Sequence, residues 1–202
     1  QSIGNRLIRQ NRYNDIYLVN KFFTWTNELI PNKFKDLTND HPRMVIPFRD
    51  ADGKVFAYQG RAFGEEQPKY ITIVLDQNQK KIFGLDRVDD SRRIIVVEGP
   101  IDSLFLSNCI AVAQGDLRLP QYKEKSTLVF DNEPRNREIV KNIEKAIEED
   151  YSVVVWPQEI KEKDINDMII SGLTSSEISD IIHRNTFSGL QAKTQISHWK
   201  KV

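Results

Sequence analysis

Cysteine occurs once in the 202 residues, at Cys109, and histidine only three times. A single thiol builds neither an internal disulfide framework nor a cysteine-based zinc site. Flanked by Asn108 and the apolar run 110–113, Cys109 has the setting of a small buried hydrophobe rather than of a nucleophile. No apolar stretch approaches the roughly 20 residues that span a bilayer, and no signal peptide is recognisable. The expected compartment is the cytoplasm, with no membrane partner. Net charge is missing as well: 29 Lys+Arg balance 29 Asp+Glu, so no global field announces a nucleic-acid partner. Internal repeats and low-complexity segments are absent. The chain opens on Gln1, so a natural N-terminus is expected upstream.

What is present describes a soluble globular protein. Hydrophobic residues make up 39% and charged residues 29%, and the length suffices for one good core or two small ones packed together. The charge is unevenly spread. Residues 1–93 hold 16 Lys+Arg against 12 Asp+Glu, and residues 94–202 hold 13 against 17. A basic first half beside an acidic second half suits a phosphate-binding surface facing a metal site. The first half reads as a helix over 14–30, ended by Pro31, then strands at 44–48, 55–62 and 70–75, with turn chemistry at Asp50 to Gly53.

From residue 93 the pattern changes. Short apolar runs at 94–97, 110–113, 127–130 and 153–156 alternate with helical segments at 101–106 and 135–149, and two short helices follow at 164–170 and 175–182. Strands alternating with helices imply an α/β fold with a parallel sheet and right-handed crossovers. Residues 173–202 are expected as a C-terminal helical tail, with no firm structure assigned to 184–202.

In open parallel sheets, ligands bind beyond the carboxyl ends of the strands, and acidic residues gather there. The run 94–97 delivers Glu98 and, one turn later, Asp102. The run 127–130 delivers Asp131 and Glu133, which share a direction because side chains alternate. Lys163-Asp164-Ile165-Asn166-Asp167 follows the last strand. Any one of these is explained equally well as a helix cap. The ordered set points to Mg²⁺ or Mn²⁺, because converging carboxylates repel one another unless a cation lies between them.

The segments I-I-V-V-E-G-P-I-D-S-L (94–104), L-V-F-D-N-E (128–133) and K-D-I-N-D (163–167) resemble the three signature segments of the Toprim fold, shared by bacterial-type primases, topoisomerases, some nucleases and recombination proteins. The resemblance implies acid–base catalysis or metal binding for Glu98, and metal binding for Asp131, Glu133 and Asp164, with Asp102 a further ligand. Two positions depart from the pattern. Glu133 stands where the family has a second Asp, and Asn166 where another Asp is common; both keep an oxygen donor. The G-R…P-K-Y segment (60–70) and K-K-I-F-G-L-D (80–86) are similar to the stretch before the Toprim fold in bacterial replicative primases. They imply nucleotide or template contacts for Arg61, Lys69 and Lys80 or Lys81. E-G-P-I-D-S-L-F-L and F-D-N-E-P-R-N look most like the primases of T-even-type phages.

The implied activity is synthesis of short RNA primers from ribonucleoside triphosphates on single-stranded DNA, with Mg²⁺ or Mn²⁺ as cofactor and a replicative helicase as partner. Such primases carry a zinc module that reads the template. With no Cys cluster, this chain is expected to be the polymerase core without it. The expected division is a basic α+β subdomain (1–92), the Toprim domain (93–172) and the tail (173–202). Two rival readings share the motifs: a metal-dependent Toprim nuclease and a non-catalytic DNA-binding scaffold.

Overall fold

The fold rests on two sheets, described in a computed structural model over residues 16–113 and 115–202. The first is antiparallel, ordered β1 (Tyr17–Val19), β2 (Arg43–Arg49), β3 (Val55–Ala62) and β4 (Tyr70–Val74). The β2–β3 turn is closed by Asp50. Its carboxylate accepts from the amides of Asp52 and Lys54, and its carbonyl accepts from Gly53, which holds φ 81°. Side chains alternate across the sheet. Val45, Tyr58 and Ile73 pack on Phe22 of helix α1 (Phe22–Leu29). Met44, Ile46, Phe48 and Ala57 contribute to the main core instead. Gly60 sits beneath Phe22, where an added Cβ would lie 2.4 Å from the ring.

The helix expected over 14–30 is shorter. Residues 14 and 15 lie outside the described residues, and 17–19 form a strand paired with 43–45. An open sheet edge beside Tyr, Leu and Val outweighs their weaker helical pattern. The helix starts at Phe22, and Asp40 accepts the first-turn amides of Phe23 and Thr24 at 2.6 and 2.9 Å. A carboxylate far along the chain thus serves as the missing cap.

The second sheet has six strands in the order β10 (Thr186–Phe187), β9 (Ser152–Val154), β8 (Ser126–Val129), β6 (Ile94–Val97), β7 (Cys109–Val112) and β5 (Ile82–Phe83). The inner four are parallel and the two edges antiparallel. This is the α/β sheet expected from the alternation. Its outer strands come from beyond the expected segments: β5 precedes residue 93, and β10 follows residue 172. Helix α2 (Pro100–Ser103) is one turn, shorter than the expected 101–106, because the amides of Leu104, Phe105 and Leu106 reach back three residues rather than four. Helix α3 (Arg137–Glu148), capped by the Asn136 side chain, buries Ile139, Ile143 and Ile147 against one face of the sheet. Helices α4 (Ile165–Ser171) and α5 (Ser175–Arg184) cover the other face with Ile165, Met168 and Ile178.

Residues 184–202 are ordered, unlike the open assignment made from sequence. After β10 comes helix α6 (Gly189–Trp199), which buries Ala192, Ile196 and Trp199 in the same core as α3. The spacing 192, 196, 199 is helical, but polar neighbours such as Lys193, Thr194 and Gln195 dilute the signal. Among the described residues no helix is long and apolar enough to cross a membrane.

Candidate active site

A cleft of about 360 Å³ opens between the two sheets, above the carboxyl end of β6 and β8. One wall carries Glu98, Asp102, Asp131, Lys163 and Asp164; the other carries Gln59, Lys69 and Tyr70. Each acidic side chain arrives by a local rule. Strand β6 ends at Val97 and releases Glu98. Gly99 then leads into α2, with Pro100 at its first position, where a missing amide proton costs nothing. Gly99 leaves room for Asp102: a Cβ at position 99 would come within 2.1 Å of Asp102 Oδ2, so the carboxylate would have to move. Asp102 Oδ1 accepts from the amide of Asn166 at 2.8 Å, which ties α2 to the first turn of α4. Asp164 caps α4, accepting from the Asp167 amide at 2.7 Å, and also lines the cleft. The capping and the site readings therefore hold for the same residue.

Asn132 joins the two acidic loops. Its amide donates to the Lys163 carbonyl at 2.7 Å, and its Nδ2 donates to the carbonyls of Ile160 and Glu162. Its Oδ1 accepts from Trp199 Nε1 at 3.2 Å, so α6 buttresses the loop that bears Asp131 and Glu133. Sequence reasoning missed both residues. Their partners are distant in the chain, and no local motif announces such a bond.

Electrostatics mark this wall. Burial pushes the Asp102 carboxyl up to about 8, with Asp164 adding repulsion. Burial and the neighbouring Glu98 push Asp131 up to about 7. Glu98 is raised as well, chiefly by burial and in part by Glu133. Lys163 is the counter-charge, its Nζ 3.6 Å from Asp131 Oδ2 and 3.3 Å from Glu133 Oε2. Burial works against the ammonium, but Asp131 and Glu133 hold it protonated to higher pH than usual. Sequence reading quoted Lys163 in its motif and gave it no role.

One ammonium faces five carboxyl groups, which escape mutual repulsion either by keeping protons or by sharing a hard divalent cation suited to their oxygen donors. Glu98, Asp102, Asp131 and Asp164 share the cleft. Glu133 turns instead to an adjoining cavity, with Glu98, Asp131 and Lys163 between the two. Among the described residues no three acidic, cysteine or histidine side chains converge as a ready-made metal cage.

On the opposite wall, the guanidinium of Arg43 is fully buried and donates to the carbonyls of Gly60 and Pro68, with a longer bond to Lys69. It fixes the segment that presents Lys69 and was not singled out from sequence. Arg61 Nε donates to Tyr70 Oη at 3.1 Å, and Lys69 Nζ lies 6.0 Å from the same ring. Lys69 and Tyr70 line the cleft; Arg61 stands behind Tyr70. Lys80 and Lys81 precede β5 and do not line the cleft, although the Lys81 carbonyl accepts from Ala113, which does.

Comparison with known proteins places this geometry. No family model matches the chain. The DNA primase of Enterobacteria phage T4 is 36% identical over 202 residues, covering 98% of this chain and 58% of that protein. The chain thus spans little more than half of that relative's length. The crystal structure of the Aquifex aeolicus primase zinc-binding and RNA polymerase domains superposes with a TM-score of 0.61 at 19% identity, over 91% of this chain and 55% of that one. A DnaG primase catalytic domain bound to single-stranded DNA superposes with a TM-score of 0.54 at 18% identity, over 74% of this chain and 55% of that one. The structures share the fold, and the phage protein shares sequence along nearly the whole chain. With strand-end carboxylates facing the G-R…P-K-Y wall across one cleft, this chain is similar along nearly its whole length to a phage DNA primase and shares the fold of primase RNA polymerase domains.

Proposed function

We propose that this chain is the RNA-polymerising core of a primase, joining ribonucleoside triphosphates opposite a single-stranded DNA template. The carrying observation is the cleft, which sets Lys69 and Tyr70 across from Glu98, Asp102, Asp131 and Asp164. The phage T4 relative supports the reading by its name, and a fold relative by its bound single-stranded DNA.

In the proposed reaction a ribose 3′-hydroxyl attacks the α-phosphate of the incoming nucleotide, a P–O bond forms, and pyrophosphate leaves. Glu98, raised above the usual carboxylate range, accepts the hydroxyl proton; a raised pKa makes it a better base near neutral pH. Asp131 and Asp164, with Asp102 and Glu133, would be the residues to hold Mg²⁺ or Mn²⁺. When bound, such an ion neutralises charge on the phosphate oxygens and orients them. Lys69 meets the triphosphate as a point charge, and Arg61 holds Tyr70 in place beside it. Lys80 and Lys81, outside the cleft, fit the template backbone. A replicative helicase is the proposed partner on the family's pattern.

Incubating the protein with single-stranded template, labelled ribonucleotides and Mg²⁺ tests the reading. New short RNA is expected. Shortened template with no RNA would make it a nuclease, and bound but unchanged DNA would make it a scaffold.

A further inference from the structure

Gln59 occupies a place where the fold calls for an apolar side chain. In register it faces Ile46 on β2 and Thr72 on β4, on the side of the first sheet that elsewhere buries Met44, Ile46 and Ala57. It is 3% exposed, and it lines the cleft. Its Nε2 donates to Thr72 Oγ1 at 3.2 Å, while its buried Oε1 has no partner among the described residues. An unsatisfied buried acceptor is destabilising, so a polar residue here is costly to the fold unless something else bonds it.

We propose that Gln59 is a sugar-selecting residue, bonding a ribose hydroxyl of the nucleotide held in the cleft. The inference rests on the primase reading above and deepens it. The open Oε1 asks for a donor. Phosphate oxygens at neutral pH only accept, and Lys69 lies in the same cleft to meet them. Base amino groups donate, but they differ among the four nucleotides, and a templated reaction must take all of them. The sugar hydroxyls are common to all four ribonucleotides. A hydroxyl also suits the carboxamide turned end for end, since it both donates and accepts. A site built to bond a hydroxyl rejects the analogue that lacks it, because the amide is then left unpaired again.

Two variants separate this role from a structural one. Gln59→Met keeps the volume and removes the amide; Gln59→Ala removes it without risk of overpacking. Extension of an annealed RNA primer is measured with ribonucleotides and with their 2′-deoxy and 3′-deoxy forms, for each of the four bases. Both variants should lose roughly 3- to 10-fold in kcat/KM for ribonucleotides, the range of one hydrogen bond. The loss should be equal for all four bases and absent for whichever deoxy form lacks the contacted hydroxyl. The Met variant should melt at the same temperature as wild type or higher, because the unpaired amide is gone. Active variants with an unchanged ribo-to-deoxy ratio would overturn the assignment, as would a loss confined to one base. If wild type makes no RNA, the primase reading itself fails. Equilibrium binding of ATP against its 2′- and 3′-deoxy forms to wild type and Gln59→Ala, without template, then reads the sugar contact alone, and equal loss for all forms would refute it.

Discussion

Asp102 and Asp131 make the folded protein sensitive to pH in a direction unusual for carboxylates. Asp102 keeps its proton up to about 8 in the fold against an ordinary 3.8, and Asp131 up to about 7. Between those values the folded chain binds protons that the unfolded chain has released. Stability is therefore fully present at low pH and falls as pH rises through the folded pKa values. Without divalent metal the protein should melt at a lower temperature at pH 8 than at pH 5.5, and Mg²⁺ at pH 8 should restore much of the loss. Asp102→Asn should raise stability more at pH 8 than at pH 5, the difference growing by up to roughly 1.4 kcal/mol per pH unit as the linked proton is no longer needed. Thermal melts across pH with and without Mg²⁺ check both; a flat profile would refute the electrostatic account. Glu98→Gln should abolish dinucleotide synthesis while keeping or slightly raising the melting temperature, since neutralising one member of a crowded acidic wall relieves repulsion. A well-folded Glu98→Gln protein of normal activity would remove Glu98 from the mechanism.

Helix α6 acts at the next scale. Its last turn presents Trp199 to Asn132, the Lys201 amide donates to the Pro134 carbonyl at 2.8 Å, and Lys200 pairs with Glu144 of α3. The loop carrying Asp131 and Glu133 is thereby braced by an element outside the signature segments. Trp199→Phe keeps most of the buried ring and removes the hydrogen bond. Its expected effect is a several-fold higher Mg²⁺ requirement, with a stability loss of about 1 kcal/mol. Titrating activity against Mg²⁺ measures the first and calorimetry the second; a purely packing role would lower stability and leave the Mg²⁺ requirement alone. The first sheet has a comparable dependence at Gly60. Gly60→Ala would drive a methyl into Phe22 and should destabilise by roughly 1–3 kcal/mol, the usual cost of overpacking.

The whole molecule sets Lys69 and Tyr70 opposite an acidic wall across one cleft, so binding and chemistry have separate electrostatic requirements. On the proposed reading, attraction of the template backbone to Lys80 or Lys81 should weaken as salt rises, through counterion release. The chemical step on an annealed primer should depend on salt less steeply. This chain has one cysteine and hence no cysteine-based zinc site of its own for reading the template. It should therefore extend an annealed RNA primer better than it starts RNA at defined template sites, because an annealed primer supplies positioning that initiation lacks. Rates on primed and unprimed templates compare the two; equal site-specific initiation would locate template selection within these residues.

Much of this was written locally. The strand at 94–97, the existence of a strand near 153 and of the helix within 135–149, and the acidic residues at strand ends follow from periodicity and chain direction, which operate over a few residues. The α/β plan was legible for the same reason, and the likeness to Toprim-type primases from the motifs at 94–104, 128–133 and 163–167. Other features depended on distant partners. Residues 17–19 became a strand because an edge was open, Asp40 capped a helix it does not adjoin, and 184–202 folded because α3 offered an apolar face. Within the site, sequence placed Glu98, Asp102, Asp131 and Asp164 at one edge. It did not show Lys163 between Asp131 and Glu133, Trp199 braced on Asn132, or Gln59 set across the cleft. Those contacts join residues up to 67 positions apart. Packing of one sheet on the other decides them, because a side chain's character fixes what it can bond, and only the folded chain fixes what it meets.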